Sequence, residues 1–310
     1  MTNLIDLITP TNLVVEQEKF FSSKKYNPTF HYIWQDSNLD PTFSIKAKYP
    51  LWEAIKSQNH ALIVDSASKL FEVNLNDETL NRANNLAKVR GKISDGNAEE
   101  YVDLMREGLK VFNLPNFNVV LTDEVGFNAR PNHLRGFITV SKHIHFEYFS
   151  MEGGVRHELV HVLRYQNGKF NGIKRSRSFL PTEEGLASWC QDNANDDNGL
   201  AQHAIEYVAS AVGVNGSLRD VYNVMRELGM SSDLAWKRAS RHKFGFINTQ
   251  MPGDILKPAM YYANEEKVAA LNTEEKLRLF VGKISISDLF NYQDYEGMWS
   301  QKLIKEYFKL

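Results

Sequence analysis

Val155-Arg156-His157-Glu158-Leu159-Val160-His161-Val162-Leu163 is the stretch on which the reading of this chain turns. A helix sets residues i and i+4 on one face, a turn apart, so His157 and His161 can direct both imidazoles at one ion. Glu158, next to the first histidine, can accept a proton from a water that such an ion activates. Leu159, Val160 and Leu163 give the helix apolar faces to bury. The chain has nine histidines, and an HExxH pentapeptide also arises by chance. The plain alternative is therefore an amphipathic helix whose histidines bind nothing.

A catalytic zinc takes three protein ligands and keeps its fourth position open. Downstream lies Thr182-Glu183-Glu184-Gly185-Leu186-Ala187-Ser188-Trp189. It reads as an acidic pair opening a second helix, with Thr182 as N-cap and with Gly185 and Ala187 small enough for close helix approach. Adjacent helical residues point about 100° apart. One of Glu183 and Glu184 is thus expected on the metal, and the other behind it or in solvent.

Upstream of the pentapeptide, Phe117–Thr122 and Phe137–Ser141 are short β-branched runs separated by a turn-rich stretch from Gly126 to Gly136. They read as two antiparallel strands joined by a long connection. The HExxH helix is expected over about 151–165, stopping at Asn167-Gly168. Earlier helices are expected from Leu13 to Phe21, over 51–72 and 77–90 (capped by Asn76 or Asp77), and from Asp95 or Asn97 to about Val111. Beyond residue 184 the pattern is helical again, with turns at 213–216 and 229–232 and an irregular stretch over 244–254. The expected class is α+β, mostly helical, with a small sheet beside the HExxH helix. The expected division is a helical region over 1–110 and a catalytic region over 111–310, forming one unit.

Bulk properties exclude several classes. A formal net charge of −2 argues against a surface built wholly for nucleic acid or anionic membrane. No run approaches the length of a transmembrane helix, and no secretory signal is visible at Met1-Thr2-Asn3-Leu4-Ile5-Asp6. The single cysteine, Cys190, cannot form an internal disulfide. A cytoplasmic protein with neither nucleic acid nor membrane as partner is expected.

With these motifs in place, the chain resembles zincins of the gluzincin type. The nearer resemblance is to the tyrosine-carboxypeptidase-like family, which comprises the microtubule-associated tyrosine carboxypeptidases and bacterial relatives with a Gln-Glu-Gly-Leu-Ala motif. Thr182–Ala187 is similar to its Thr-Glu-Glu-Gly-Leu-Ala signature. Leu163–Gly168, Pro10-Thr11-Asn12, Glu18–Phe21, Tyr26–Phe30, Arg238–Arg241 and Lys257–Tyr261 are similar to other family segments. The resemblance implies a zincin-like fold, a Zn2+ ion on His157, His161 and Glu184, and Glu158 as general base. It also implies a carboxypeptidase acting on a peptide or on a protein's C-terminal tail. The chain departs from the family in two places: the family's histidines are typically spaced HExxxH, and Pro258 stands where the family tends to carry an acid. An endopeptidase, or a non-hydrolytic peptide-binding protein that keeps the fold, are the alternatives.

Other candidates follow from chemistry. A substrate carboxylate is best held by arginine, which Arg238 and Arg241 at i, i+3 can supply, with Lys257 as a second choice; two solvated helix arginines is the competing reading. Tyr261 or Tyr262 can donate to a developing oxyanion, though tyrosines this abundant also serve packing. Lys169, Lys174, Arg175 and Arg177 form either a cationic rim or a solvated loop. His143 and His145 alternate at strand spacing, with a structural or exposed role expected. Strand 137–141 is a candidate edge strand for an extended substrate.

Overall fold

Asparagine and serine caps set many of the helix starts. The computed structural model describes residues 4–37, 41–43, 46–88, 96–124, 127–144, 146, 150–193 and 200–310. α1 (Leu4–Ile8) and α2 (Leu13–Ser22) open the chain, and α2 ends ahead of Asn27-Pro28 as expected. The helix expected over 51–72 is two helices, α3 (Lys48–Ser57) and α4 (His60–Phe71). Gln58 breaks them apart: its backbone is left-handed (φ 51°), and its side-chain amide donates to the carbonyls of Ile55 and Gly245. α5 (Asp77–Leu86) starts at Asn76, whose Oδ1 accepts from the Thr79 amide. α6 (Ala98–Val111) starts at Asn97, in a reciprocal capping box with Glu100. The alternative start, Asp95, lies outside the described residues.

β1 (Asn118–Thr122), β2 (Ala129–Asn132) and β3 (Phe137–Ser141) form a sheet in the order β1-β3-β2. Two expectations fail here. β1 and β3 are parallel rather than antiparallel, with Val119 opposite Ile138, because the connection between them contains β2, which takes the antiparallel hairpin position with Ala129 opposite Val140. β3 is accordingly the central strand, hydrogen-bonded on both sides, and cannot be the edge that receives a substrate. Pro131 hid β2 from the sequence reading; it is tolerated because β2 is an edge.

The remaining helices are α7 (Met151–Phe170), α8 (Phe179–Asp192), α9 (Leu200–Asn215), α10 (Leu218–Glu227), α11 (Ser232–His242), α12 (Lys257–Ala269), α13 (Thr273–Arg278) and α14 (Gln301–Phe308). The class is α+β, mostly helical. α7 overruns the stop expected at Asn167-Gly168. Gly168 faces Gly282, where an added Cβ would lie 3.4 Å from the neighbour's Cα, and the Asn167 side-chain amide donates to the Phe280 carbonyl at 2.7 Å. Both residues serve a close chain approach, not a helix end. No described helix is long and apolar enough to cross a membrane.

The chain forms two units interleaved in sequence: Met1–Lys88 with His203–Ala263, and Val89–Gln202 with Asn264–Leu310. The expected boundary near residue 110 falls inside the second. In the first unit, Phe20, Phe30, Tyr32 and Trp236 form a buried hydrophobic cluster with Leu218. The core of the second gathers Leu159, Val160 and Leu163 of α7 with Ile138 and Val140 of β3, Leu186 of α8 and Phe280. β2 packs beside α7, so the sheet lies next to the HExxH helix.

Candidate metal centre

α7 is capped by Ser150, whose Oγ accepts from the Gly153 amide at 2.9 Å. It is buried on most sides, and α8 runs antiparallel along it. At one end Gly153 meets Gln191, where an added Cβ would lie 2.7 Å from the Gln191 carbonyl oxygen; further along, His161 meets Glu183. α8 starts at Ser178, one turn earlier than expected. Thr182 is therefore inside the helix rather than its N-cap, and its hydroxyl accepts from the Ile286 amide at 2.9 Å. Gly185 does allow the close approach expected of it: an added Cβ would sit 2.6 Å from the backbone of Asn264 on α12.

This packing brings His157, His161 and Glu184 together, with one possible ligand atom from each within 4.8 Å of the other two. Glu184 Oε2 is 3.7 Å from His157 Nε2 and 3.7 Å from His161 Nε2. Those separations are too long for hydrogen bonds. Ligand atoms around a tetrahedral zinc, each ~2.0–2.1 Å from the ion, lie roughly 3.4 Å apart. Two imidazoles and a carboxylate are a donor set that fits a divalent cation, and the two carboxylate–imidazole separations are within a few tenths of an ångström of that spacing. The three side chains keep 10–14% of their surface exposed.

Glu158 is buried. Burial raises its pKa, the two histidines oppose that, and Glu184 adds to it, so the carboxylate lies electrostatically within the same cluster. Burial pulls His161 down, but Glu184 and Glu183 outweigh it and raise the imidazole's pKa; the same negative charge favours a bound cation.

Glu183 lies behind the ligands. Its Oε1 accepts from His161 Nδ1 at 3.0 Å and pairs with Lys283, and its Oε2 pairs with Arg164 Nη1 at 3.2 Å. Burial alone would raise this carboxyl; Lys283, His161 and Arg164 instead hold it well below the usual carboxylate range. With Nδ1–H donated to Glu183, His161 presents Nε2 as a lone-pair donor on the side of Glu184.

The other candidates fall elsewhere. Arg238, Arg241, Lys257 and Tyr261 belong to the other unit. Arg238 is buried and pairs with Glu206 at 2.9 Å. Lys257 donates to the Tyr261 hydroxyl at 3.2 Å, and Tyr261 stacks on His203. Lys237, which the sequence did not single out, is pushed down to about 8 by burial and by the neighbouring Arg238 and Arg241. Tyr262 is buried against Tyr207. Lys169, Lys174, Arg175 and Arg177 are exposed around the α7–α8 connection. His143 is exposed, as expected, and His145 lies outside the described residues. Arg164, Lys283 and His133 also escaped the sequence reading. Arg164 alone carried a signal, one helical turn beyond His161; Lys283 comes from a segment 100 residues after Glu183.

No family model matches the chain, and no curated protein matches it either.

Proposed function

We propose that this chain is a zinc-dependent peptidase with a zincin-like fold, acting as a carboxypeptidase on a peptide or on a protein's C-terminal tail. The observation that carries this reading is the convergence of His157, His161 and Glu184 donors within 4.8 Å. A zinc ion held there supplies a Lewis acid that polarises a carbonyl and lowers the pKa of water to about 7. Glu158, one residue from the first histidine, receives the proton of the attacking water and passes it to the departing amine. Glu183 holds His161 in the required tautomer and orientation. Cytoplasmic location belongs to the same reading, and the buried thiol of Cys190 suits it.

The test is elemental analysis of protein purified without added metal, followed by mass spectrometry of a diverse peptide pool with and without a chelator. Stoichiometric zinc and chelator-sensitive removal of single C-terminal residues are expected. Internal cuts would replace the carboxypeptidase by an endopeptidase, and bound zinc without turnover would leave a binding protein. Glu158→Gln should retain zinc while losing about 10²–10⁴-fold in activity; an active variant rules out the general-base role.

A further inference from the structure

We infer that Lys283 and Arg164 are positioning residues for the metal centre, acting through Glu183; this rests on the metal reading above. Arg164 is wholly buried, and each donor it uses has a defined target. Nη1 goes to Glu183, Nε to the carbonyls of Leu279 at 2.8 Å and Gly282 at 3.0 Å, and Nη2 to the carbonyl of Ile284 at 2.6 Å. The carbonyls it grips flank Lys283, whose ammonium returns to the same Glu183 carboxylate. Glu183, Arg164 and the 279–284 segment thus form a closed loop of charge-assisted bonds, in which each member restrains the other two.

The loop is braced from outside. The Lys283 ammonium is 3.3 Å from His133 Nε2, at the end of the β2–β3 hairpin, and the His133 ring stacks on Tyr165 of α7 at 4.6 Å. The Gly168–Gly282 contact seats the segment directly on α7; an added Cβ at Gly282 would lie 3.1 Å from the Gly168 Cα. A carboxylate behind a metal-binding histidine can rotate unless something fixes it, and here two cations on different chain segments do so. The geometry they impose is carried by the 3.0 Å contact from Glu183 to His161 Nδ1. Clamped in this way, His161 offers Nε2 with its ring orientation already set, so little side-chain freedom is lost when a metal binds.

Lys283→Met keeps most of the apolar stem and removes the ammonium. Zinc affinity by chelator competition and the visible absorption of the Co2+-substituted protein are the readouts, with circular dichroism as the check on folding. The expected result is zinc binding weakened by about 10–100-fold together with a changed Co2+ spectrum, because the ligand field senses the angle of the His161 ring. Should Lys283→Met fail to fold, Lys283→Leu likewise removes the donor and is read identically. Wild-type affinity and an unchanged spectrum in a folded Lys283 variant overturn the inference while leaving the metal site intact. A wild-type protein that binds neither Zn2+ nor Co2+ overturns the metal reading and this inference with it.

Discussion

Glu183 and Glu184 are neighbours in sequence, yet the fold gives them different surroundings. Glu184 stands 3.7 Å from each of the two imidazole Nε2 atoms, whereas Glu183 is sealed among His161, Arg164 and Lys283. Helical geometry alone predicts that only one of them can face the metal, and the family resemblance chose Glu184; the inter-residue distances support that choice on independent grounds. The two positions should therefore respond differently to substitution. Glu184→Ala should abolish stoichiometric zinc, exceeding the roughly 10–100-fold loss that removal of an outer partner produces. Glu183→Gln should stay within that range. Metal titration of both variants checks the order, and a reversed order would exchange their roles.

At the level of elements, the proposed metal centre depends on α7 and α8 lying close enough to bring His157, His161 and Glu184 together. A small residue helps make this possible, Gly153 against Gln191, while Gly185 lets α8 approach the backbone of Asn264 on α12. A methyl at Gly185 would begin 2.6 Å from backbone atoms, which cannot swing aside as a side chain could. Gly185→Ala is expected to cost about 1–3 kcal/mol in urea unfolding, and to weaken zinc binding as well by displacing the turn that carries Glu184. Unchanged stability would show that α12 can yield. The sheet shows what element-level reading of sequence misses. The β-branched runs that became β1 and β3 were evident, but alternation of side chains does not specify which strand lies between which. Ala129-Arg130-Pro131-Asn132 has too little β-forming character to mark itself as a strand and is one only because β3 offers it hydrogen bonds. Likewise, Gly168 carries the sequence signature of a helix stop but serves as a contact point for Gly282.

Across the whole molecule, the two units each contain a buried ionic arrangement that folding must satisfy. In the unit of residues 1–88 and 203–263, it is Glu206 with Arg238. Burial raises the Glu206 carboxyl, but Arg238, then Arg241, His242 and His203, bring it below its ordinary value. A carboxylate depressed in the folded state contributes stability above its unfolded pKa and loses it as pH falls through the folded value. Glu206→Gln should therefore cost about 3–5 kcal/mol near neutrality, where it leaves Arg238 buried without its carboxylate. The deficit should shrink as pH drops below about 4, where the carboxyl of the unfolded wild-type chain takes up its proton first and the folded one follows only at lower pH. Urea unfolding at pH 7 and at lower pH measures it, and a deficit independent of pH would rule out the ionic origin.

By itself the sequence determined the local half of this protein: the helical register of His157 and His161, the adjacent Glu158, the acidic pair after them, and most helix starts, since caps and periodicity act over a few residues. The HExxH motif came with a plain alternative attached, and the fold brings a third candidate donor to it from α8, 3.7 Å from His161 Nε2. Only the tertiary structure decided the rest. Strand order, the path of α7 through Gly168, the interleaving of the two units, and the Arg164–Glu183–Lys283 clamp all depend on contacts between residues far apart in sequence, and no periodicity or motif within one segment encodes what a distant segment will place against it.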